Sequence, residues 1–192
     1  MAQFTNYATL SYNGGITDSN TVTGELLETL TASKTAVMDD YTAKDDVTYV
    51  LSLVNSGTAA LTGLTVTDDL GAYLFDQGEA YPLVYNEGSI RYYVNGVLQT
   101  APEVTAGPPL VIRGISVPAG GNVLLIYETT VTNYAPLGLE ASITNRAVVT
   151  GGGLSSPVAA EETINMELRA DLSISKAVCP AVVAENGQLT YT

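Results

Sequence analysis

The sequence contains no histidine and a single cysteine, Cys179. A lone cysteine cannot close an internal disulfide, and a site built from His or Cys, such as a Ser-His-Asp triad or a zinc site, is excluded. Four acids bracket one loop (Asp39, Asp40, Asp45 and Asp46) and could hold calcium, but they lack a tight ligand spacing. We therefore expect a solvated acidic loop, with no metal and no cofactor.

The chain is also poor in basic residues and in long apolar runs. Seven Lys and Arg face 20 Asp and Glu, which gives a net charge of −13. This charge argues against nucleic acid and anionic membrane surfaces as partners. No apolar run approaches transmembrane length, and the N-terminal residues have neither the basic flank nor the apolar centre of a secretory signal. We expect no membrane insertion, and either export by another route, an earlier processing step, or assembly inside a cell.

The residues that are abundant predict an all-β chain without helices. Thr, Val, Leu, Tyr and Gly dominate, and turn signals recur about every ten residues. Apolar residues alternate through 47–55, and Asn95-Gly96 predicts a type I′ hairpin turn. The length of 192 residues suffices for one core and a fragment of a second.

The central stretch of the chain carries a lysine in a strand pattern. Leu30, Ala32 and Lys34 fall on one face at a period of two, and the apolar residues predict that this face is buried. A lone ammonium group is costly in a core. Only three lysines occur in the chain, and Lys176 ends the same pattern in residues 172–176. Two matched lysines indicate a specific role for the position.

The matches between segments indicate a repeat that is cut at both ends. After each of these lysines, at the same spacing, comes a Thr-Tyr pair, Thr48-Tyr49 and Thr190-Tyr191. The segment 4–8 resembles 143–147, which aligns Asn6 with Asn145. We therefore predict an N-terminal donor or extension strand region (1–28), one complete module (29–166), and the opening strands of a second, incomplete module (167–192).

Three motifs carry a resemblance to a known family. They are Val47-Thr48-Tyr49-x-Leu51-x-Leu53-x-Asn55-Ser56-Gly57, Leu61-Thr62-Gly63-Leu64-Thr65-Val66-Thr67-Asp68, and Ile143-Thr144-Asn145-x-Ala147-x-Val149-Thr150-Gly151. These motifs resemble the bacterial surface repeat called domain of unknown function 11, over most of residues 30–151. The chain is also similar to the collagen-adhesin B-type modules of pili. The resemblance implies an immunoglobulin-like β-sandwich in a stalk or fibre, and a Lys–Asn isopeptide bond assisted by a carboxylic acid.

The strand phases select candidates for that bond. Lys34, Asp68 and Asn145 each share a face with apolar neighbours, so all three should point inward. Burial favours a neutral amine and a neutral acid, which could polarise the asparagine amide. Glu128 shares a face with Leu124 and Ile126 and is the rival acid. The alternative is a buried Lys–Asp ion pair capped by Asn, without a covalent bond. Either way the chain is not an enzyme, because crosslinking would be a single-turnover event.

The cut repeat suggests how subunits could join. A head strand could complete the unfinished module of a neighbour, and this heterologous contact would make a filament of identical copies. An Asn6–Lys176 bond would then join subunits covalently. Two other arrangements stay open. In one, the natural chain continues past Thr192, the head completes the last module of the longer chain, and Lys176 pairs with another asparagine. In the other, the head packs on its own module.

These inferences predict a structural subunit of a bacterial extracellular, cell-surface or spore-surface filament. The alternative is an adhesin stalk whose tyrosine-rich insert binds a carbohydrate or protein ligand. The tyrosines of the insert are Tyr81, Tyr85, Tyr92 and Tyr93.

Overall fold

The computed structural model describes residues 2–167, 174–179 and 181–191. The regular secondary structure of these residues is all β-strand, as the composition predicts. None of the described residues belongs to a helix that could span a membrane. The predicted hairpin turn at Asn95-Gly96 is confirmed, since both residues have the positive φ that a type I′ turn requires, 48° and 80°.

The N-terminal residues form a hairpin. Its strands are β1 (Ala2–Asn6), β2 (Thr9–Tyr12), β3 (Gly15–Asp18) and β4 (Val22–Leu26). Strand β1 pairs with β4, with Asn6 opposite Val22, and β2 pairs with β3. Nearly every described side chain of this head hairpin (residues 2–26) is exposed. Two-stranded ribbons bury little apolar surface by themselves, so the head hairpin has no core of its own.

A sandwich follows, and its strands extend from Leu30 to Met166. They are β5 (Leu30–Ala36), β6 (Asp40–Tyr41), β7 (Asp46–Asn55), β8 (Leu61–Asp68), β9 (Tyr73–Phe75), β10 (Gly78–Ala80), β11 (Leu83–Tyr85), β12 (Arg91–Val94), β13 (Val97–Leu98), β14 (Glu103–Thr105), β15 (Leu110–Val117), β16 (Asn122–Val131), β17 (Ser142–Gly151) and β18 (Val158–Met166).

Two sheets of six strands enclose the core, which gives the immunoglobulin-like β-sandwich predicted from the sequence. The first has the order β13-β12-β16-β7-β5, with β11 also paired to β16. The second has the order β14-β15-β8-β17-β18-β6. Strands β9 and β10 pair with each other outside these sheets. Long strands with alternating burial, such as β7 and β17, supply most of the inward-facing side chains.

The core is apolar except for five buried polar side chains. Leucines and valines from both sheets fill it, and each fully buried one contributes roughly 1.5–3 kcal/mol to stability. This apolar burial offsets the free-energy cost of burying the five polar side chains, which are Lys34, Asn55, Asp68, Thr129 and Asn145. Asn55 is well satisfied by backbone carbonyls near the strand end. Of the other four, Lys34, Asp68 and Asn145 are the residues predicted to form the crosslink.

The described tail residues form a short pair of strands, β19 (Val178–Cys179) and β20 (Thr190–Tyr191). Val178 lies opposite Tyr191, and in the sandwich the matched residues Ala36 and Tyr49 are also opposite each other. The tail thus repeats the register of β5 and β7. Of the predicted second lysine strand, residues 172 and 173 lie outside the described residues, and 174–176 are not in a strand. Cys179 is exposed, so it makes no core contact.

Candidate crosslinking site

Lys34 lies in the core between the two sheets. It stands on β5, opposite Leu51 of β7, and is 3% exposed. Its Nζ lies 2.5 Å from Oδ2 of Asp68, a residue of the second sheet that is fully buried. Asp68 ends β8, where it continues the inward face of Leu64 and Val66. The strand period thus brings an amine and an acid from opposite sheets into contact.

Asp68 is held from three sides. The hydroxyl of Tyr127 on β16 donates a hydrogen bond to Oδ2, the oxygen that Lys34 contacts. The amide of Leu70 donates to Oδ1 over 3.0 Å. Charge-assisted hydrogen bonds of this kind fix a carboxyl group firmly. Sequence reasoning missed Tyr127, although its alternation with Val123 and Leu125 would have been compatible with burial.

Glu128 is not the rival acid that its strand pattern suggested. Its side chain is exposed, because on β16 the inward residues are Val123, Leu125 and Tyr127. The opposite phase was expected, with Glu128 beside Leu124 and Ile126 facing the core. That expectation is wrong, since those two residues lie on the outer face.

Asn145 lies on β17, in the same sheet as Asp68. Ala147, two residues along the same face, lies directly opposite Asp68. The Asn145 side chain is fully buried, and neither its Oδ1 nor its Nδ2 has a hydrogen-bond partner. An unsatisfied buried polar group costs roughly 1–3 kcal/mol. Both polar atoms of Asn145 carry this cost, so the side chain is a candidate for a chemical role rather than a stabilising one.

Tyr49 completes the site from the first sheet. It lies opposite Tyr127, and the two rings stack with their centroids 5.9 Å apart. Lys34 Nζ lies 4.7 Å from the centre of the Tyr49 ring. The Tyr49 hydroxyl is buried without a hydrogen-bond partner. The Asn145 carboxamide lies near enough to lower the pKa of this hydroxyl against the larger effect of burial, although no hydrogen bond joins the two groups.

Burial dominates the electrostatics of the site. It lowers the pKa of Lys34, an effect that the negative charge and hydrogen bond of Asp68 oppose. Burial also raises the pKa of Tyr127 well above its ordinary value, and the Asp68 charge adds to this shift. A lysine with a lowered pKa gives up its proton more readily and becomes a nucleophile. The arrangement therefore holds an amine, a proton acceptor and an unpaired carboxamide in one dry region.

The other predicted site residues lie elsewhere. Asn6 is exposed on β1, and Lys176 is exposed in the tail. In the acidic loop, Asp45 accepts a hydrogen bond from the amide of Thr42. Asp46 accepts from side chains that include Thr130. Within the described parts of the chain, no cluster of acidic residues and Cys has the geometry to hold a metal ion.

The tyrosine-rich insert does not present a continuous aromatic surface. Tyr85 and Tyr92 are buried in the core, and Tyr92 hydrogen-bonds to the backbone of Ser116. Tyr81 is partly exposed and lines a groove of about 560 Å³ together with Phe75 and Tyr134, among others.

Comparison with known proteins gives likeness of fold. No family model and no curated protein matches the chain. Among solved structures, the pilus backbone protein RrgB of Streptococcus pneumoniae matches at 13% identity and a TM-score of 0.50, over 64% of this chain and 31% of that one. The major pilin SpaD of Corynebacterium diphtheriae matches at 17% identity and a TM-score of 0.50, over 71% and 34%. Its domains D2 and D3 match at 18% and 0.50, over 70% and 51%. The chain has the fold of pilin domains and spans about half or less of those structures.

Proposed function

We propose that this chain is a structural subunit of a bacterial surface filament, with a sandwich reinforced by an isopeptide bond between Lys34 and Asn145. The observation that carries the proposal is the buried Lys34–Asp68 pair in the same core region as an unpaired Asn145 carboxamide. The likeness of fold to pilus backbone proteins agrees with this function. The filament would stand on the cell or spore surface.

The reaction follows from these groups. Asp68 takes a proton from Lys34 across their 2.5 Å contact, which leaves a neutral amine. The amine nitrogen attacks Cγ of Asn145, and a new C–N bond forms. Asp68 gives its proton to the departing nitrogen, and the old C–N bond breaks as ammonia leaves. The newly attached nitrogen still carries one proton more than an amide holds, and it gives that proton to the Asp68 carboxylate. Exclusion of water from the core protects the site from competing hydrolysis. The event occurs once in each molecule, so the chain is not an enzyme.

The position of the bond suits a load-bearing role. Lys34 stands on the first strand of the sandwich and Asn145 on the last but one. A bond between β5 and β17 also joins the two sheets. Tension applied at the two ends of the sandwich would pass through this bond, while the intervening chain would bear little of the load.

The head hairpin is the proposed means of assembly. Its exposed apolar side chains include Phe4, Leu10 and Ile16, which are 54%, 63% and 72% exposed. Such side chains favour association with another subunit. Pairing of β1 with β4 leaves the other edge of β1 for strand addition to a neighbour. Repetition of this heterologous contact would build a filament.

A covalent joint between subunits is a further part of the proposal. Asn6 and Lys176 match Asn145 and Lys34, so strand addition would bring together the two halves of a crosslink. Asp68 stands on β8, which matches no strand of the head hairpin or of the described tail, so this joint would need an acid from another part of either subunit.

Intact mass of the boiled, denatured protein tests the first bond. We expect a chain lighter by one ammonia, and full calculated mass for Asn145→Ala. An unmodified mass for the wild type would contradict the Lys34–Asn145 bond.

A denaturing gel of assembled material tests the second bond, between Asn6 and Lys176. A ladder that resists boiling and disappears in Asn6→Ala would support it, whereas a single monomer band would contradict it.

A second candidate function is ligand binding at the groove lined by Phe75, Tyr81 and Tyr134. Aromatic side chains beside polar groups are typical of carbohydrate sites. A purified protein that stays monomeric and binds an oligosaccharide, with binding lost in Tyr81→Ala, would favour an adhesin. Fibres that form with rising concentration and are lost on deleting residues 1–28 would favour the filament.

A further inference from the structure

We infer that Tyr49 is a further catalytic residue of the crosslinking reaction, and that its hydroxyl donates a hydrogen bond to the oxyanion that develops on Oδ1 of Asn145. The inference rests on the proposed Lys34–Asn145 bond and goes beyond it, because it assigns the group that stabilises the transition state.

Two unsatisfied groups lie in one part of the core. Among the described residues, the buried side-chain polar atoms without a hydrogen-bond partner belong to Tyr49 and Asn145 alone. The Tyr49 ring is also packed near the Lys34 amine, with 4.7 Å between its centre and Nζ. The structure therefore assembles the nucleophile, the carbonyl and an unused O–H donor in one place.

The other hydroxyl of the site is already occupied. Tyr127 donates its hydrogen bond to Asp68, which also contacts Lys34 and the Leu70 amide. Asp68 is thus in direct contact with the attacking nitrogen, and the proton transfers are assigned to it. A separate donor is needed for the carbonyl oxygen, and Tyr49 is the described side chain that has one to give.

The electron balance assigns a distinct task to each group. When the neutral amine of Lys34 attacks Cγ, the π pair of the carbonyl moves to Oδ1 and makes it an oxyanion. The Tyr49 O–H donates to this oxygen without losing its proton. The pair then returns to re-form the carbonyl as ammonia leaves. A donor that waits unpaired in a dry site stabilises developing charge more than a donor in water does.

The chemical state of Tyr49 fits this task. Burial raises the pKa of its hydroxyl, so the group stays protonated and able to donate at neutral pH. A phenylalanine would fill the same stacked position without burying an unsatisfied hydroxyl, which costs roughly 1–3 kcal/mol. The tail carries tyrosine at the matched place, Tyr191, in the same register with its neighbouring strand.

The test compares crosslinking rates in the full chain with and without this hydroxyl. Protein is synthesised in a cell-free reaction, and intact mass is followed over time as the share of chains lighter by one ammonia. We expect Tyr49→Phe to slow this conversion about 10²–10³-fold, the usual effect of removing one oxyanion donor. The rates are compared on the folded fraction, which is separated by gel filtration.

A matched background separates chemistry from packing. In Asn145→Ala, which cannot form the bond, the added change Tyr49→Phe should leave the thermal midpoint equal or higher, because it removes an unsatisfied hydroxyl. If conversion slows while this midpoint holds, the hydroxyl acts on the reaction. If conversion slows and the thermal midpoint of the double variant also falls, the role of Tyr49 is structural and the inference is wrong.

The outcomes also distinguish this inference from the proposed function. A wild-type chain that never loses ammonia would overturn the bond itself, and the role of Tyr49 with it. A wild-type chain that converts, together with Tyr49→Phe that converts at the same rate, would leave the bond standing and overturn only the role of Tyr49.

Discussion

Lys34 and Lys176 end the same sequence pattern but lie in opposite environments. Lys34 is buried on β5 and contacts Asp68, whereas Lys176 is exposed in a segment that is not a strand. The tail even repeats the pairing of β5 with β7, since Val178 lies opposite Tyr191 as Ala36 lies opposite Tyr49. Local pattern and register are therefore insufficient to bury a lysine.

What differs is the opposite sheet. Lys34 is enclosed because β8 and β17 lie across from it and supply Asp68 and Asn145. The described tail has two short strands, and Lys176 is exposed there. The burial of Lys34 therefore depends on residues of the opposite sheet as well as on its own sequence pattern.

Removal of each lysine in turn should have the largest effect. Lys34→Ala should restore the full calculated mass and lower stability, because it abolishes the bond and leaves Asp68 buried without its partner, a loss of roughly 3–5 kcal/mol. Lys176→Ala should keep the mass deficit and change stability by no more than about 0.5 kcal/mol. Mass spectrometry and thermal unfolding measure both. Equal effects from the two variants would contradict the comparison.

Neutralising the acid should have the next largest effect. Asp68→Asn keeps the shape of the side chain but removes the proton acceptor, so the rate of ammonia loss should fall about 10²–10⁴-fold. Glu128→Gln is the matched control, because the same chemical change is made at an exposed position. Time-resolved intact mass gives both rates. Slow ammonia loss in Glu128→Gln together with a normal rate in Asp68→Asn would show that Glu128, and not Asp68, is the acid.

The pH dependence of stability should also separate the lysines. Asn145→Ala keeps Lys34 as a free amine in the core. Because burial lowers the Lys34 pKa in the folded state below the ordinary 10.5, the unfolded chain binds more protons between the two values. The free energy of unfolding should therefore rise with pH in that window and level off below the folded-state pKa, where Lys34 is protonated in both states. Urea unfolding at several pH values measures it.

The rise of the free energy of unfolding with pH has a matched control and an upper limit in pH. Adding Lys34→Met to Asn145→Ala should flatten this rise, whereas adding Lys176→Met should not. Asp68, Asp69 and Glu162 oppose the shift and reduce its size. Above about pH 10 the buried hydroxyls of Tyr49 and Tyr127, whose pKa values are raised, work in the opposite direction. A slope that persists without Lys34 would show that another group causes it.

The smallest expected effect concerns local protection of the backbone. Amides of β5 should exchange with deuterium slowly, because the strand is paired and its inner face is covered. Residues 174–179 should exchange fast in the same molecule. Hydrogen exchange with mass spectrometry compares the two segments directly. Similar protection would mean that another part of the protein or another subunit covers the tail.

The strand period predicted much of the site. It indicated inward positions for Lys34, Asp68 and Asn145 because each lies among alternating apolar and polar residues. It failed at Glu128 because residues 123–127 are all apolar, so both phases fit the pattern equally well. The surrounding apolar run therefore hid which residues of β16 face inward.

Features that depend on pairing between distant strands were out of reach. Asn13-Gly14 is a typical turn signal, but it does not predict the pairing of β1 with β4. Contacts between sheets were equally hidden, which is why the bond from Tyr127 to Asp68 was missed. Tyr49 belongs to the apolar alternation through 47–55, but its unpaired hydroxyl depends on where the opposite sheet lies.

The distance in sequence between Lys34 and Asn145 has a consequence for folding kinetics. Strand β5 can pair early with nearby β7, but the docking of β17 must close a loop that spans most of the sandwich, and such contacts form slowly. The proposed crosslink would therefore close only after the last strands have docked. A chain that stalls before that step would not lose ammonia. The bond would thus mark each molecule that has completed its fold.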